Sequence, residues 1–249
     1  MRNFLINVDF GGLGDHLFYS PIPRLLKEKY GNGARVYLCS SSHFRNWQTY
    51  ELVWKNNPYL DGVRDRFELS FEEQLKIQID PNAHISQHIL ARYSLNFSHE
   101  IDPEIYFNLP SVSSSHKYLI DLNFSSYTGL FESDIFRILK NIGREWTFIN
   151  PDSRLKKLIT ENEIIQTTSL FEYASLIQKS KRFICLTSGG ATLARALGVA
   201  AYVYTEPYYP QMFKHEKNHH ISIGKRNIYR KLVRYYLMEK NIKRRLNDR

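Results

Sequence analysis

Two glycine-rich junctions hold the residues whose types and spacing suit chemistry. The first, FGGLGDHLFYSP at 10–21, sets Gly11, Gly12 and Gly14 ahead of Asp15 and His16. Glycine lets a backbone come close to a ligand, and a helix start offers unpaired N–H groups. Asp15 would repel a phosphate there, so the loop reads as a site of another kind, or Asp15 reads as a plain cap. The second junction lies in RFICLTSGGATLARALGVAAYVYTE at 182–206. Its Thr187, Ser188, Gly189 and Gly190 bring hydroxyls and N–H groups to a helix start, which suits a sugar or a diphosphate. Ser and Thr are also favoured caps, so a turn without ligand has the same signature. Glu206, at the end of the next strand, is placed to bind a ribose or sugar hydroxyl.

Familiar nucleotide motifs do not fit. A P-loop needs Gly-Lys-Ser/Thr, and neither junction has the lysine. A dinucleotide fingerprint needs a third glycine where Leu17 stands and an acid where the second strand ends in Ser40, Ser41 and Ser42. His84 and His88 have metal-ligand spacing on one helical face, but no third ligand is evident. His215, His219 and His220 lie among Lys and Asn and read as a solvated loop. Tyr202, Tyr204, Tyr208 and Tyr209 can stack on a base or sugar, although Tyr202 and Tyr204 share a strand face that suits core packing equally.

The elements that must position these residues alternate. Strand NFLINVDF, helix HLFYSPIPRLLKEKYG and strand ARVYLCSS come first, with Pro21 and Pro23 delaying the regular helix to about Ile22. A short helix and short strand follow within NWQTYELVWKNNPYLDGVRD. After the linker-like PSVSSSHK the pattern restarts: KYLIDLNF, ESDIFRILKNIG, REWTFINP, SRLKKLITE, EIIQTT, SLFEYASLIQKS, RFICLTS, ATLARALG, AAYVYTE. Such alternation builds helix-covered parallel sheets, and the restart predicts two of them. Cys39 and Cys185 read as buried free thiols of a reducing compartment. No signal-peptide or membrane-spanning pattern is expected. The charge is uneven: from Lys225 onward ten Lys or Arg face Glu239 and Asp248, a net +8 of the chain's +9. Ile228, Leu232, Tyr235, Tyr236 and Ile242 interleave with those charges, which suggests a helix packed on the body with a basic outer face.

Taken in order, GGLGDHLFYSPIPRLLKEKYG, VWKNNPYLDGV and TTSLFEYASLIQKSKRFICLTSGGATLARALGVAAYVY resemble the heptosyltransferase-like glycosyltransferases, glycosyltransferase family 9. The resemblance implies an α/β fold of GT-B type, two Rossmann-like parallel-sheet domains facing a cleft. It implies an acceptor domain over 1–112, a nucleotide-sugar domain over 113–225, and a basic helix over 226–249 that packs back on the first domain. It implies an inverting, metal-independent transfer of a sugar from a nucleotide-sugar to a lipopolysaccharide, capsule or O-antigen-type glycan, with no cofactor and no metal. Asp15 matches the family's catalytic base, and Gly11, Gly12, Gly14 and His16 form its acceptor-side loop, with His16 the next candidate base. Ser125, Ser126, Thr187, Ser188, Gly189, Gly190, Thr192 and Glu206 fall on the donor side. Thr187 replaces the family's usual aspartate and Thr192 its usual histidine, so an ADP-heptose donor is not implied. The expected setting is cytoplasmic, with the tail touching anionic membrane at the inner face. Two other readings use the same residues: a nucleic-acid-modifying glycosyltransferase, disfavoured by the tail's apolar interleaving, and a non-catalytic nucleotide-sugar-binding module.

Overall fold

A computed structural model describes the chain except for Ile79, 113–115, 124–129, 160–161, 225–227, Arg230 and 233–249. Strand β1 (Arg2–Ile6) buries Phe4 and Ile6 and leads through the glycine loop into α1 (Leu13–Tyr19). The chain breaks at Pro21, and α2 (Ile22–Tyr30) begins with Pro23 in its first turn, where a missing N–H costs nothing. Gly31, at φ 58°, ends it in the left-handed region that favours glycine. Then come β2 (Ala34–Cys39), α3 (Gln48–Val53), β3 (Gly62–Arg64) and α4 (Ile85–Ala91). A second alternation follows: β4 (Tyr118–Asp121), α5 (Glu132–Lys140), β5 (Thr147–Ile149), α6 (Ser153–Lys156) and β6 (Ile164–Ile165). It continues with α7 (Leu170–Lys179), β7 (Arg182–Leu186), α8 (Gly189–Ala196), β8 (Ala201–Thr205) and β9 (His219–Ser222).

Among the described residues the strands form two parallel sheets, in the orders β1-β2-β3 and β6-β5-β4-β7-β8-β9. The α/β alternation read from the sequence is therefore present. Leu119 and Ile120 of β4 and Phe183, Ile184, Cys185 and Leu186 of β7 are all buried, as central strands covered on both faces must be. Cys39 and Cys185 are buried free thiols. The solvated-loop reading of the late histidines fails, because β9 pairs with β8, His219 opposite Tyr202 and His220 opposite Val203. Its polar composition suits a half-exposed edge strand and hides it from a hydropathy reading.

Of the basic tail, Ile228 and Leu232 are exposed rather than packed on the body. Tyr229 makes the apolar contact instead, its ring centroid 5.9 Å from that of Phe131 beside the second sheet. Tyr235, Tyr236 and Ile242 lie outside the described residues, as does the rest of the helix assigned to the first domain. No helix among the described residues is long and apolar enough to cross a membrane.

One core cluster runs through both halves, from Phe4, Leu17 and Trp54 to Tyr173, Leu193 and Val203. A second cluster fills the other face of the larger sheet around Ile120, Phe148 and Leu186. The halves meet where α1 crosses α8, and there two glycines face each other. A Cβ on Gly189 would stand 3.0 Å from the Gly14 nitrogen and 3.2 Å from Leu13 Cβ. A Cβ on Gly14 would stand 3.3 Å from Gly189 Cα. These neighbours are mostly backbone and cannot rotate away. Gly189→Ala is therefore expected to destabilise the protein by about 1–3 kcal/mol through overpacking. Gly33→Ala, where a Cβ meets nothing within 4 Å, is expected to stay within about 0.5 kcal/mol of wild type. Urea denaturation of the two variants beside wild type measures both.

Candidate active site

Where the halves face each other they enclose an open cavity of about 900 Å³, the scale of a small-molecule site. One wall is the glycine loop, with Gly11, Gly12, Gly14 and Asp15, flanked by the exposed Arg45. The other wall is the carboxyl end of the second sheet, where open parallel sheets bind ligands. Asp121 ends β4, Asn150 follows β5, Thr167 follows β6, and Thr187 follows β7.

Asp15 is the third helical residue of α1, and its Oδ2 accepts the Gly12 N–H at 3.2 Å. This is half of a capping box. Asp15 is therefore not the N-cap, which is Gly12, but it caps from inside the first turn, and the same half-buried carboxylate lines the cavity. Across from it Ser188 caps α8, its Oγ accepting the Gly190 N–H at 3.2 Å. Thr187, Ser188, Gly189, Gly190 and Thr192 all line the cavity. The structure therefore brings the first junction and the second to one space.

Tyr209, His215 and His220 line the cavity too, whereas His16, Glu206, Tyr202, Tyr204 and Tyr208 do not. His16 is fully buried beneath the loop, stacked on Phe44 with ring centroids 4.3 Å apart. Its Nδ1 accepts from Trp54 Nε1 at 3.0 Å and its Nε2 lies 2.8 Å from the His43 carbonyl, so both ring nitrogens are occupied. Burial pushes its pKa down to about 4. Glu206 is buried outside the cavity lining, its Oε2 accepting the Tyr208 N–H at 2.6 Å in the turn after β8. Ser125 and Ser126 lie outside the described residues.

The cavity also holds residues that sequence reasoning passed over. Asp121 receives the Tyr173 hydroxyl at 2.7 Å and the Asn123 N–H and amide at 3.0 and 2.8 Å. Burial raises its pKa in spite of those bonds. Asn150, at φ 49°, exchanges hydrogen bonds with Thr167, each 2.7 Å long. The signal was available: each polar residue sits within two positions of the carboxyl end of an apolar strand. His215, also in the lining, was read instead as part of a solvated loop. It is buried, not solvated, and its partners are remote in sequence.

His84 and His88 do not share a task either. His88 Nε2 lies 2.8 Å from the Asp80 carbonyl. His84 caps α4, and its ring faces Glu100 and His215. Burial lowers the His84 pKa to about 4, which keeps the ring neutral. Burial opposes ionisation of Glu100, but its hydrogen bond with His215 and the nearby histidines outweigh it and hold the carboxyl below its usual range.

No protein-family model matches the chain, and comparison with curated proteins finds no significant relative. Solved structures do match in fold. One is TibC, described as an iron-containing dodecameric glycosyltransferase from enterotoxigenic E. coli H10407, with a TM-score of 0.60 at 16% identity. That match covers 91% of this chain and 62% of TibC. A glycosyl transferase family 9 protein from Veillonella parvula DSM 2008 matches with a TM-score of 0.61 at 10% identity, covering 97% of this chain and 89% of that one. The ADP-heptose LPS heptosyltransferase II of E. coli gives 0.59 at 11% identity, over 89% and 90% of the two chains. This chain thus spans less than two thirds of TibC's length. The fold is the GT-B arrangement of these structures, with two parallel-sheet halves facing a cleft.

The burial of His16 has a consequence for stability. Its unfolded pKa is near 6.5 and its folded pKa about 4, so the folded state binds fewer protons between those values. Stability present above about pH 6.5 is lost as pH falls toward 4, by up to about 3 kcal/mol for this one group. His16→Gln is expected to be less stable at pH 7 but to lose this share of the acid sensitivity. Urea denaturation repeated between pH 4.5 and 7.5 on both proteins reads the difference in slope; equal slopes would rule out a neutral, buried His16.

Proposed function

We propose that this protein is a glycosyltransferase that moves a sugar from a nucleotide-sugar to a hydroxyl of a glycan acceptor, with inversion. One observation carries the reading: Asp15, from the first half, and the Ser188-capped start of α8, from the second, line the same cavity. A displacement of this kind needs both at once. The acceptor oxygen attacks the anomeric carbon, the bond from that carbon to the diphosphate breaks, and the hydroxyl proton passes to Asp15. The departing diphosphate carries the developing negative charge. The N–H groups at the start of α8, the Ser188 hydroxyl and Thr187 are the groups suited to receive it.

Each wall then has a task. The first half supplies the base and, through the Gly11, Gly12 and Gly14 backbone, part of the cavity wall. The second half supplies the strand-end groups, Asn150 and Thr167 among them, that suit the hydroxyls and phosphates of a nucleotide-sugar. Arg45 adds a cation at the mouth of the cavity. The likeness in fold to heptosyltransferase II, named for ADP-heptose, supports a nucleoside-diphosphate sugar as the donor class. A glycan acceptor at the cytoplasmic face of a membrane is part of the same proposal, and the basic tail's charge supports it.

Asp15→Asn tests the reading. Asparagine keeps an oxygen to accept the Gly12 N–H, so the helix start survives the change. Turnover with a matched donor and acceptor is expected to fall about 10²- to 10⁴-fold, while donor affinity stays within a fewfold of wild type. Assays over a panel of nucleotide-sugars with lipid-linked and oligosaccharide acceptors, alongside donor titrations, measure the two quantities. Unchanged turnover would leave Asp15 a capping residue and remove it from the chemistry.

A further inference from the structure

Beside the cleft, three ligand-type side chains converge from separate stretches of chain. His84 caps α4, Glu100 lies in the irregular segment that follows, and His215 precedes β9. One donor atom from each lies within 4.8 Å of the other two. The Glu100 carboxylate is 3.7 Å from His84 Nε2, and the same oxygen touches His215 Nδ1. The side chains are only 5, 3 and 2% exposed for His84, Glu100 and His215. His84 Nε2 is buried and has no hydrogen-bond partner, although it points at this cluster. A buried polar atom normally finds a partner, and the atoms this one faces are of ligand type.

The outer atoms of the same residues are already held. His84 Nδ1 is 2.8 Å from Ser86 Oγ, and His215 Nε2 is 3.2 Å from Thr192 Oγ1. The other Glu100 oxygen accepts the Glu216 N–H at 2.7 Å. With the outer nitrogens and oxygen engaged, the inner ones are fixed facing one another, as the ligands of metal centres are. Phe18 covers the group, its ring 5.6 Å from His215 and 5.7 Å from His84. Two imidazoles and a carboxylate suit a divalent ion of zinc type, whose ligand atoms lie about 2.0–2.2 Å from the metal. Tetrahedral placement then sets neighbouring donors roughly 3.3 Å apart. The 3.7 Å separation of His84 Nε2 from Glu100 is near that spacing, and the Glu100–His215 contact opens when an ion enters.

We propose that His84, Glu100 and His215 bind one divalent transition-metal ion of the zinc class, which clasps the segment following the first sheet to the segment entering β9. The ion ties residues more than 100 positions apart, stabilises the folded state by mass action, and fixes Thr192 through His215. The site does not depend on the transferase reading, and its test needs no substrate.

The test uses the full chain, purified without an affinity tag or chelator. Elemental analysis is expected to find about one equivalent of zinc-class metal per chain. Stripping with EDTA should lower the thermal midpoint, and added Zn²⁺ should restore it. His84→Asn keeps a good capping residue at the start of α4 but is too short to ligate, and Glu100→Gln removes the anionic ligand. Each should weaken Zn²⁺ binding, measured by competition with a chromophoric chelator, by at least about a hundredfold, since outer-shell changes alone cost about ten- to a hundredfold. A stripped wild type that neither takes up micromolar Zn²⁺ nor shifts its midpoint would overturn the proposal and leave a metal-free ion pair. Binding that persists unchanged in both variants would overturn it too, by placing the metal elsewhere. The wild-type measurement decides even if a variant folds poorly.

Discussion

The close approach of Gly14 to Gly189 is the constraint on which the rest of the structure depends. Two helices, one from each half, meet near their first turns with backbone against backbone. A side chain on either glycine would press on the facing backbone and overpack the contact. Because the contact falls near the helix starts, the groups next to it, Asp15 on one side and Ser188 on the other, are forced to face the same cavity. Gly14 and Gly189 are thus explained first by packing, and the proposed chemistry takes advantage of the geometry that packing imposes.

Other contacts pin the same interface from the outside. Gln48 Oε1 accepts the Leu170 N–H at 2.8 Å, joining α3 to the start of α7. Phe107 stacks on Phe171 with centroids 4.4 Å apart. Asp102 pairs with Arg195 of α8 and, at 2.6 Å, with Lys217. The Arg195 side chain is only 5% exposed, and a buried cation left without its partner is far costlier than the pair is worth when made. Glu100 and His215 add a second crossing close by. The segment 100–112 therefore acts as a strap, carrying acidic residues and aromatic rings from the first sheet across to the second.

What could be read from the sequence was local. Pro21 broke the first helix where expected, the strand–helix alternation restarted after the serine-rich stretch, and Ser188 capped a helix after an apolar strand. These follow from periodicity and cap chemistry, which act over a few residues. The convergence of both glycine junctions was reached through resemblance and not through any pattern in the residues themselves. What escaped depends on long-range contacts. His16 read as a loop residue because nothing nearby in the sequence announces Trp54 and Phe44 as its partners. His84 was paired with His88 by spacing, whereas the fold pairs it with Glu100 and His215. β9 escaped because HHIS has no apolar alternation, being held by backbone bonds to β8 at an exposed edge. Asp121 was missed although its position, last in an apolar strand, marks it.

The most direct test of the account is a calorimetric titration of the wild-type protein with nucleoside diphosphates and with the corresponding nucleosides. If the start of α8 and the strand ends beside it form a diphosphate seat, at least one nucleoside diphosphate should bind with micromolar affinity. Its nucleoside should bind at least about tenfold more weakly, because the contacts to the charged groups are lost. Failure of every diphosphate to bind, or equal binding of nucleoside and diphosphate, would contradict the account and leave the Gly14–Gly189 junction a feature of packing alone.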